Sequence, residues 1–285
     1  MSNSPALSRW ELSIRLRERR RVLGMDIKDL TRELAFSRNY WSAVENDRAV
    51  LSEEKLRRLL DLFEFDEHEG RQLLALRNTA KERDWTAQFS AVLSDDMKRF
   101  YGLEAGAQRV QAWESMHVTG LLQTEAYASA TIRSDPGVTA TRASQLVKVR
   151  LLRQERLRGA DPLGLTAVMS EASLWQETGG RSVLRAQLKH LLEVSDEAPD
   201  TVEIRIVPFR ATLGALGGAT RFLFHFASPH LPTLAWQERM DATESVEEGE
   251  ERFEQLSISN ARALDLSLSR EDSLALIKER MDALG

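Results

Sequence analysis

The stretch from Gly24 to Arg48, GMDIKDLTRELAFSRNYWSAVENDR, constrains this chain most. It reads as two short helices joined by a tight turn. The spacing predicts the first from Ile27 to Leu34 and the second from Ser37 to about Glu45. Ser37 can cap the second helix, because its hydroxyl accepts from first-turn N–H groups that lack intrahelical partners. Leu30, Leu34, Phe36, Trp41 and Val44 supply an apolar face, while Arg38, Asn39, Tyr40 and Ala43 lie off it. Two helices at this spacing form a helix-turn-helix, whose second helix enters the DNA major groove.

The charge distribution agrees with a nucleic-acid-binding head. The whole chain of 285 residues carries a net charge of −5. Residues 1–60 hold 13 Lys and Arg against 9 Asp and Glu, which leaves 26 against 35 in the rest. A basic head on an acidic body is expected when only the head meets phosphate. The chain has no Cys, so it has neither disulfides nor thiolate metal sites, and this suits a reducing cytoplasm. The first residues lack the apolar core of a secretory signal, and no apolar run reaches the ~20 residues of a membrane helix.

Around the central stretch the head extends in both directions. Residues 1–11 read as a flexible leader. Leu12, Leu16 and Leu23 share one face of a helix from about Arg9 to Leu23, closed by Gly24. Arg15, Arg17, Arg19, Arg20 and Arg21 give that helix a basic surface, read either as solvated charge or as phosphate contact. Ser52 followed by Glu53 and Glu54 starts a fourth helix, and Asp66 caps a fifth. The head is thus a five-helix domain over residues 12–83, and residues 84–285 form a second domain.

In order, the helix, Gly24, Leu30, the turn, Ser37, Ser42-x-x-Glu45 and Arg48 resemble the Xre/Cro-type helix-turn-helix of phage repressors and bacterial regulators. The resemblance implies an ion pair between Arg20 on the first helix and Glu45 at the end of the recognition helix. A guanidinium and a carboxylate there can lock helix one to helix three. The sequence departs from the pattern at four places. Ile27 stands where Gln often opens the second helix, and Thr31 replaces Ala. Ala35 replaces the turn Gly, and Asp47 follows Asn46 where Gly is usual. These departures imply one DNA contact fewer and an acid near the phosphate path.

The second domain reads as α+β. Residues 95–116 are expected as a long helix, and Thr124 caps another through Ala130. Further helices are expected over 139–158, 181–194, 246–264 and 269–284. Val202–Phe209 alternates as a half-solvated strand, Arg221–Ala227 reads as a second, and Thr166–Met169 and Thr233–Gln237 are weaker strands. Leu213–Ala219 reads as a flexible connection. The fold class is therefore mainly α, α+β overall: a five-helix head, then a domain with a small sheet. The segments GLLQTEAYASA, VRLLRQERL, GGRSVLRAQLKHLLE, VEIRIVPF and LSREDSLALIKE are similar, in order, to a domain of unknown function fused to Xre-type heads in actinobacterial antitoxin-like regulators. GLLQT-x-x-Y, Gly120 to Tyr127, is the most specific of these. This resemblance implies transcriptional control and a small partner protein encoded nearby.

Candidate contacts follow from chemistry. Arg38 can donate twice to guanine and Asn39 can pair bidentately with adenine. Tyr40 and Ala43 share their exposed side, and Ser37, Asn46 and Arg48 suit the DNA backbone. Leu121, Leu122, Gln123, Thr124 and Tyr127 could form core, a partner groove or a small-molecule site. The acidic run Asp241–Glu254 fails the calcium-loop pattern, since Val246 stands where Gly is required. Leu213–Ala219 lacks the Lys-Ser/Thr of a phosphate loop, and there is no nucleophile elbow. The sequence therefore predicts a cytoplasmic, non-enzymatic DNA-binding regulator without metal or cofactor. It is expected to be a homodimer reading an inverted-repeat operator, with an antitoxin-like protein that sequesters a small partner as the rival reading.

Overall fold

The computed structural model describes residues 4–211, 218–238 and 243–285. The chain divides into two compact units: residues 1–88 with 97–106 and 227–231, and residues 89–96 with 107–226 and 232–285. Leu213–Gly217 of the expected flexible connection, and Asp241 and Ala242 at the start of the acidic run, lie outside the described residues.

The first unit is helical. It contains α1 (Pro5–Val22), α2 (Ile27–Leu34), α3 (Arg38–Glu45), α4 (Glu53–Leu62), α5 (Glu67–Ala80) and most of α6 (Asp95–Gly106). Ser37, Ser52 and Asp66 cap α3, α4 and α5 through side-chain oxygens that accept from first-turn N–H groups. Leu16, Leu30, Trp41, Leu56, Phe63 and Leu73 meet in one core, each with essentially no exposed surface. The expected leader is instead helix from Pro5. Ser4 caps it by accepting from the Leu7 amide, Pro5 suits its first turn, and Ala6, Leu7 and Trp10 are buried. Burial of those side chains against α6 explains the difference. A Cβ at Gly102 would overlap the Ala6 methyl, and one at Gly106 would press on Leu7. Two glycines in α6 thus admit the start of α1, and residues 97–106 group with the first unit.

The second unit is built on a six-stranded sheet of order β3-β2-β1-β4-β5-β6. Its strands are β1 (Arg109–Glu114), β2 (Gly164–Ser170), β3 (Val202–Val207), β4 (Thr220–His225), β5 (Leu234–Glu238) and β6 (Thr243–Glu247). β1, β2 and β3 are mutually parallel, whereas β4 to β6 add antiparallel neighbours. The parallel crossovers carry α7 (Glu125–Arg133) and α8 (Ala140–Gln154), then α9 (Ala172–Trp175) and α10 (Arg181–Glu197). α11 (Glu251–Leu266) and α12 (Arg270–Ala283) close the chain. The β3 edge does not stand open: Leu268 N–H donates to Ile206 O, and Ile206 N–H donates to Ser273 Oγ.

Two expected helices are corrected. The one over 95–116 ends at Gly106, and Arg109–Glu114 is the central strand. Val110, Ala112 and Trp113 are all buried, so this strand, flanked on both sides, shows no clean period of two. The helix expected from Val246 begins at Glu251. Residues 243–247 pair with β5, and Gly249, at φ +98°, turns the chain between them. Among the described residues no helix is long and apolar enough to cross a membrane.

Candidate nucleic-acid interface

The recognition element is rigidly built. Asp26 caps α2 in a reciprocal capping box with Asp29. Backbone hydrogen bonds from Asp29 and then Lys28 to one Asp26 oxygen, Oδ1, hold its carboxyl below the usual range, with the Lys28 and Arg38 charges adding to them. Ala35 turns the chain from α2 toward α3 in the left-handed region, at φ +51°. Tyr40 N–H then donates to the Ser37 hydroxyl at 3.1 Å. Trp41 faces inward, stacked on Phe36 at 6.1 Å between ring centroids and edge-on to Phe63 at 6.3 Å.

Arg20 Nε lies 2.6 Å from Glu45 Oε1, joining α1 to the end of α3. The pair is not bidentate: a second guanidinium nitrogen of Arg20 donates to Met25 O at 2.8 Å, which also fixes the turn after α1. Both side chains are largely buried, so each leaves the other little water to fall back on.

Ser37, Arg38 and Asn39 are exposed along the first turn of α3, and Tyr40 and Ala43 are half-buried beside them. Lys55 Nζ lies 4.5 Å from the Tyr40 ring centroid, a cation–π contact. Burial pushes the Tyr40 phenol up. Asn46 is exposed but turns its amide back, donating to Ser42 O at 2.7 Å. Arg48 is exposed at the end of the following loop, where its N–H donates to Ala43 O. The structure thus presents Arg38, Asn39 and Arg48 to solvent and leaves Asn46 engaged with its own helix.

Asp47, the acid expected near the phosphate path, is turned inward. Its side chain is 7% exposed, and its carboxylate lies 2.7 Å from Arg9 Nε. The backbone reaches this position at φ +59°, the left-handed region that favours Gly. The arginine-rich face of α1 is also reassigned. Arg15 is buried and donates to Gln72. Arg19 donates to Phe63 O and Glu64 O, closing the C-terminal end of α4 where a cation meets unpaired carbonyls. Arg20 holds Glu45. Of these three and Arg21, only Arg21 is exposed. The Arg20–Glu45 pair is the one the resemblance implied, whereas the spacing of the run gave no sign of the Arg15 and Arg19 contacts, whose partners lie 57 and 44 residues away in sequence.

A family model described as a domain of unknown function (DUF5753) matches residues 97–279, and a helix-turn-helix domain model matches residues 11–73. The chain belongs to the DUF5753 family. No curated protein and no solved structure matches it. The pairing of a helix-turn-helix head with a DUF5753 region is that of a DNA-binding regulator with a second domain of unassigned role.

Within the DUF5753 region, Gly120–Leu122 forms a single 3-10 turn and Thr124 caps α7. Leu121, Leu122, Gln123 and Tyr127 are all buried. Side-chain amides wrap the turn: Gln123 donates to Val118 O, Gln154 to Gln123 O, and Gln187 to Leu122 O. A Cβ at Gly120 would lie 3.1 Å from an Arg150 guanidinium nitrogen and 3.3 Å from one of Arg153, so those side chains pack closely over the turn. The GLLQT-x-x-Y element of this DUF5753 domain is therefore internal packing. Its leucines, Gln123 and Tyr127 offer no surface to a partner protein, and Thr124 spends its hydroxyl on the cap.

One residue without a sequence signal stands out in the DUF5753 sheet. Glu114 ends β1 and accepts from the Thr220 hydroxyl at 2.8 Å. Part of its surface is accessible, yet the carboxyl sits deep among β1, β4 and α8. Desolvation pushes it up to about 7, against the Thr220 hydrogen bond. Among the described residues no group of acids and histidines is placed to hold a metal ion.

Proposed function

We propose that the protein is a sequence-specific DNA-binding transcriptional regulator acting in the cytoplasm. The observation that carries this reading is the exposed pair Arg38 and Asn39 on the first turn of α3. That helix is fixed from beneath by Trp41 and from its far end by the Glu45–Arg20 pair. Side chains that can read guanine and adenine edges are thereby presented on a rigid support, which is what direct readout needs. Ser37 and Arg48 lie at the two ends of the same surface and suit phosphate contact.

In this reading the C-terminal domain brings two copies together over an inverted repeat and receives a signal from a small partner protein encoded nearby. The likeness to antitoxin-like regulators supports that second role. A gel-shift and footprint on the protein's own promoter tests the DNA reading. Arg38→Ala is expected to weaken specific binding by about 1–3 kcal/mol, roughly five- to 150-fold, and to relax preference at one base pair. Equal binding by Arg38→Ala and the parent protein would remove α3 from the role of recognition helix.

A further inference from the structure

Three parallel strands of the sheet each lead to an exposed large apolar side chain beyond their C-terminal ends. Met116 follows β1, Trp175 ends α9 after β2, and Phe209 follows β3. They are 49%, 50% and 55% exposed, and they make up half of the large hydrophobic residues exposed among the described residues. Soluble surfaces scatter such residues singly, so a cluster is informative.

These side chains are held, not loose. Glu171 uses both carboxylate oxygens: Oε1 accepts from Trp175 Nε1 at 3.1 Å and Oε2 from Phe209 N at 2.7 Å. The two rings stand 6.4 Å apart. Arg280 lies over the Trp175 ring at 4.1 Å and donates to Leu174 O. Gln176, next in the chain, reaches the Met116 sulfur at 3.6 Å. Rings fixed in advance lose little freedom on docking.

The geometry points to a homodimer contact in which two copies of this patch face one another across a two-fold axis. The rim decides the occupant. Glu171 and Glu177 are matched by Arg181 and Arg280, with Glu177 3.8 Å from Arg181 and 4.0 Å from Arg280. A strongly charged partner finds no net field here to recognise, whereas a second copy meets both signs and an apolar centre like its own. Area sets the strength. With ~200 Å² for a large side chain and about half exposed, the three anchors offer on the order of 300 Å² per copy. Two copies then bury roughly 600 Å² at the centre, about half the lower limit for a stable interface. The contact is therefore a weak, reversible dimer in solution, strengthened when two heads occupy neighbouring half-sites. The DNA-assisted part rests on the DNA-binding reading above; the contact itself does not.

The chain has no cysteine, so one introduced thiol reports the contact without DNA. Phe209→Cys and Met116→Cys are expected to form a disulfide-linked dimer under mild oxidation. Ile258→Cys, on α11 and 68% exposed, is the control expected to stay monomeric. Trp175→Asp should weaken self-association about tenfold or more in sedimentation equilibrium. It should abolish cooperative binding to a two-half-site operator and leave single half-site affinity unchanged. Thermal melts of each variant verify folding, and the crosslinks test the contact even if Trp175→Asp does not fold. Equal crosslinking at position 258, or a dimer that survives Trp175→Asp, overturns the proposal. So does a parent protein that stays monomeric at every concentration, or a patch variant that loses only a different protein partner. Crosslinking at 116 and 209 with no DNA binding would leave the contact standing and remove only the DNA reading.

Discussion

Glu114 makes the stability of the sheet domain depend on pH, in the direction opposite to a salt-bridged acid. Its carboxyl stands at about 7 in the folded protein against an ordinary value of 4.5, because desolvation outweighs the Thr220 hydrogen bond and the nearby Arg150 and Arg153. Between these values the folded state holds the proton and the unfolded state has released it. Stability then falls as pH rises from about 4.5 to about 7 and is level above. The gap is worth roughly 3 kcal/mol at full effect, of which roughly 2.5 accrues between pH 5 and pH 8. Glu114→Gln keeps an acceptor for Thr220 and removes the ionisation. It should stabilise the domain at pH 8 by about 1–3 kcal/mol, the lower value applying because part of the residue stays accessible and the arginines lose a counter-charge. Urea unfolding of parent and variant at pH 5, 6, 7 and 8 measures this. Parallel pH profiles for the two proteins, or a variant less stable at pH 8, would show that the carboxyl is ionised without penalty and refute the reasoning.

Two further predictions concern the head. Glu45→Ala should cost about 3 kcal/mol by leaving Arg20 largely buried and unpaired, and Arg20→Ala with Glu45→Ala should cost less than the sum, as a double-mutant cycle in chemical denaturation would read. Ala35→Gly should raise the stability of the head by about 1 kcal/mol, since the exposed Ala35 occupies φ +51° and its methyl group makes that conformation costly.

What could be read from the sequence was what local chemistry determines. The caps at Ser37, Ser52, Asp66 and Thr124 each follow from a side-chain oxygen followed by free amides, and the helices they open were legible. The start of α1 was signalled by Ser4-Pro5 and obscured by the polar residues around it. β1 was hidden for a different reason. Its identity comes from β2 and β4, which lie more than fifty residues downstream. At the site, exposure of Arg38 and Asn39 followed from the turn and the helical period. The inward turn of Asp47 did not, because it depends on Arg9, in a segment that read as leader. The conspicuous GLLQT element reads equally well as surface or core until Gln154 and Gln187 are placed around it.

The reassignment of the α1 arginines changes what DNA binding by this head can be. Arg15, Arg19 and Arg20 are spent on Gln72, the α4 terminus and Glu45. The exposed cations flanking α3 are then Lys28, Arg38 and Arg48. Each phosphate neutralised contributes about −0.9 to the slope of log K against log salt, so with Arg38 on a base edge and Lys28 and Arg48 on phosphate one head should show a slope of roughly −2. An α1 surface that also engaged its five arginines would bring it to roughly −6. Affinity for a single half-site measured across a salt series separates the two. A slope of roughly −2 means that little non-specific attraction is available, so binding depends on base contacts by Arg38 and Asn39 and on pairing of two heads. A slope of roughly −6 would mean that the α1 arginines leave their internal partners when DNA arrives, and that the packing seen here belongs to the free protein.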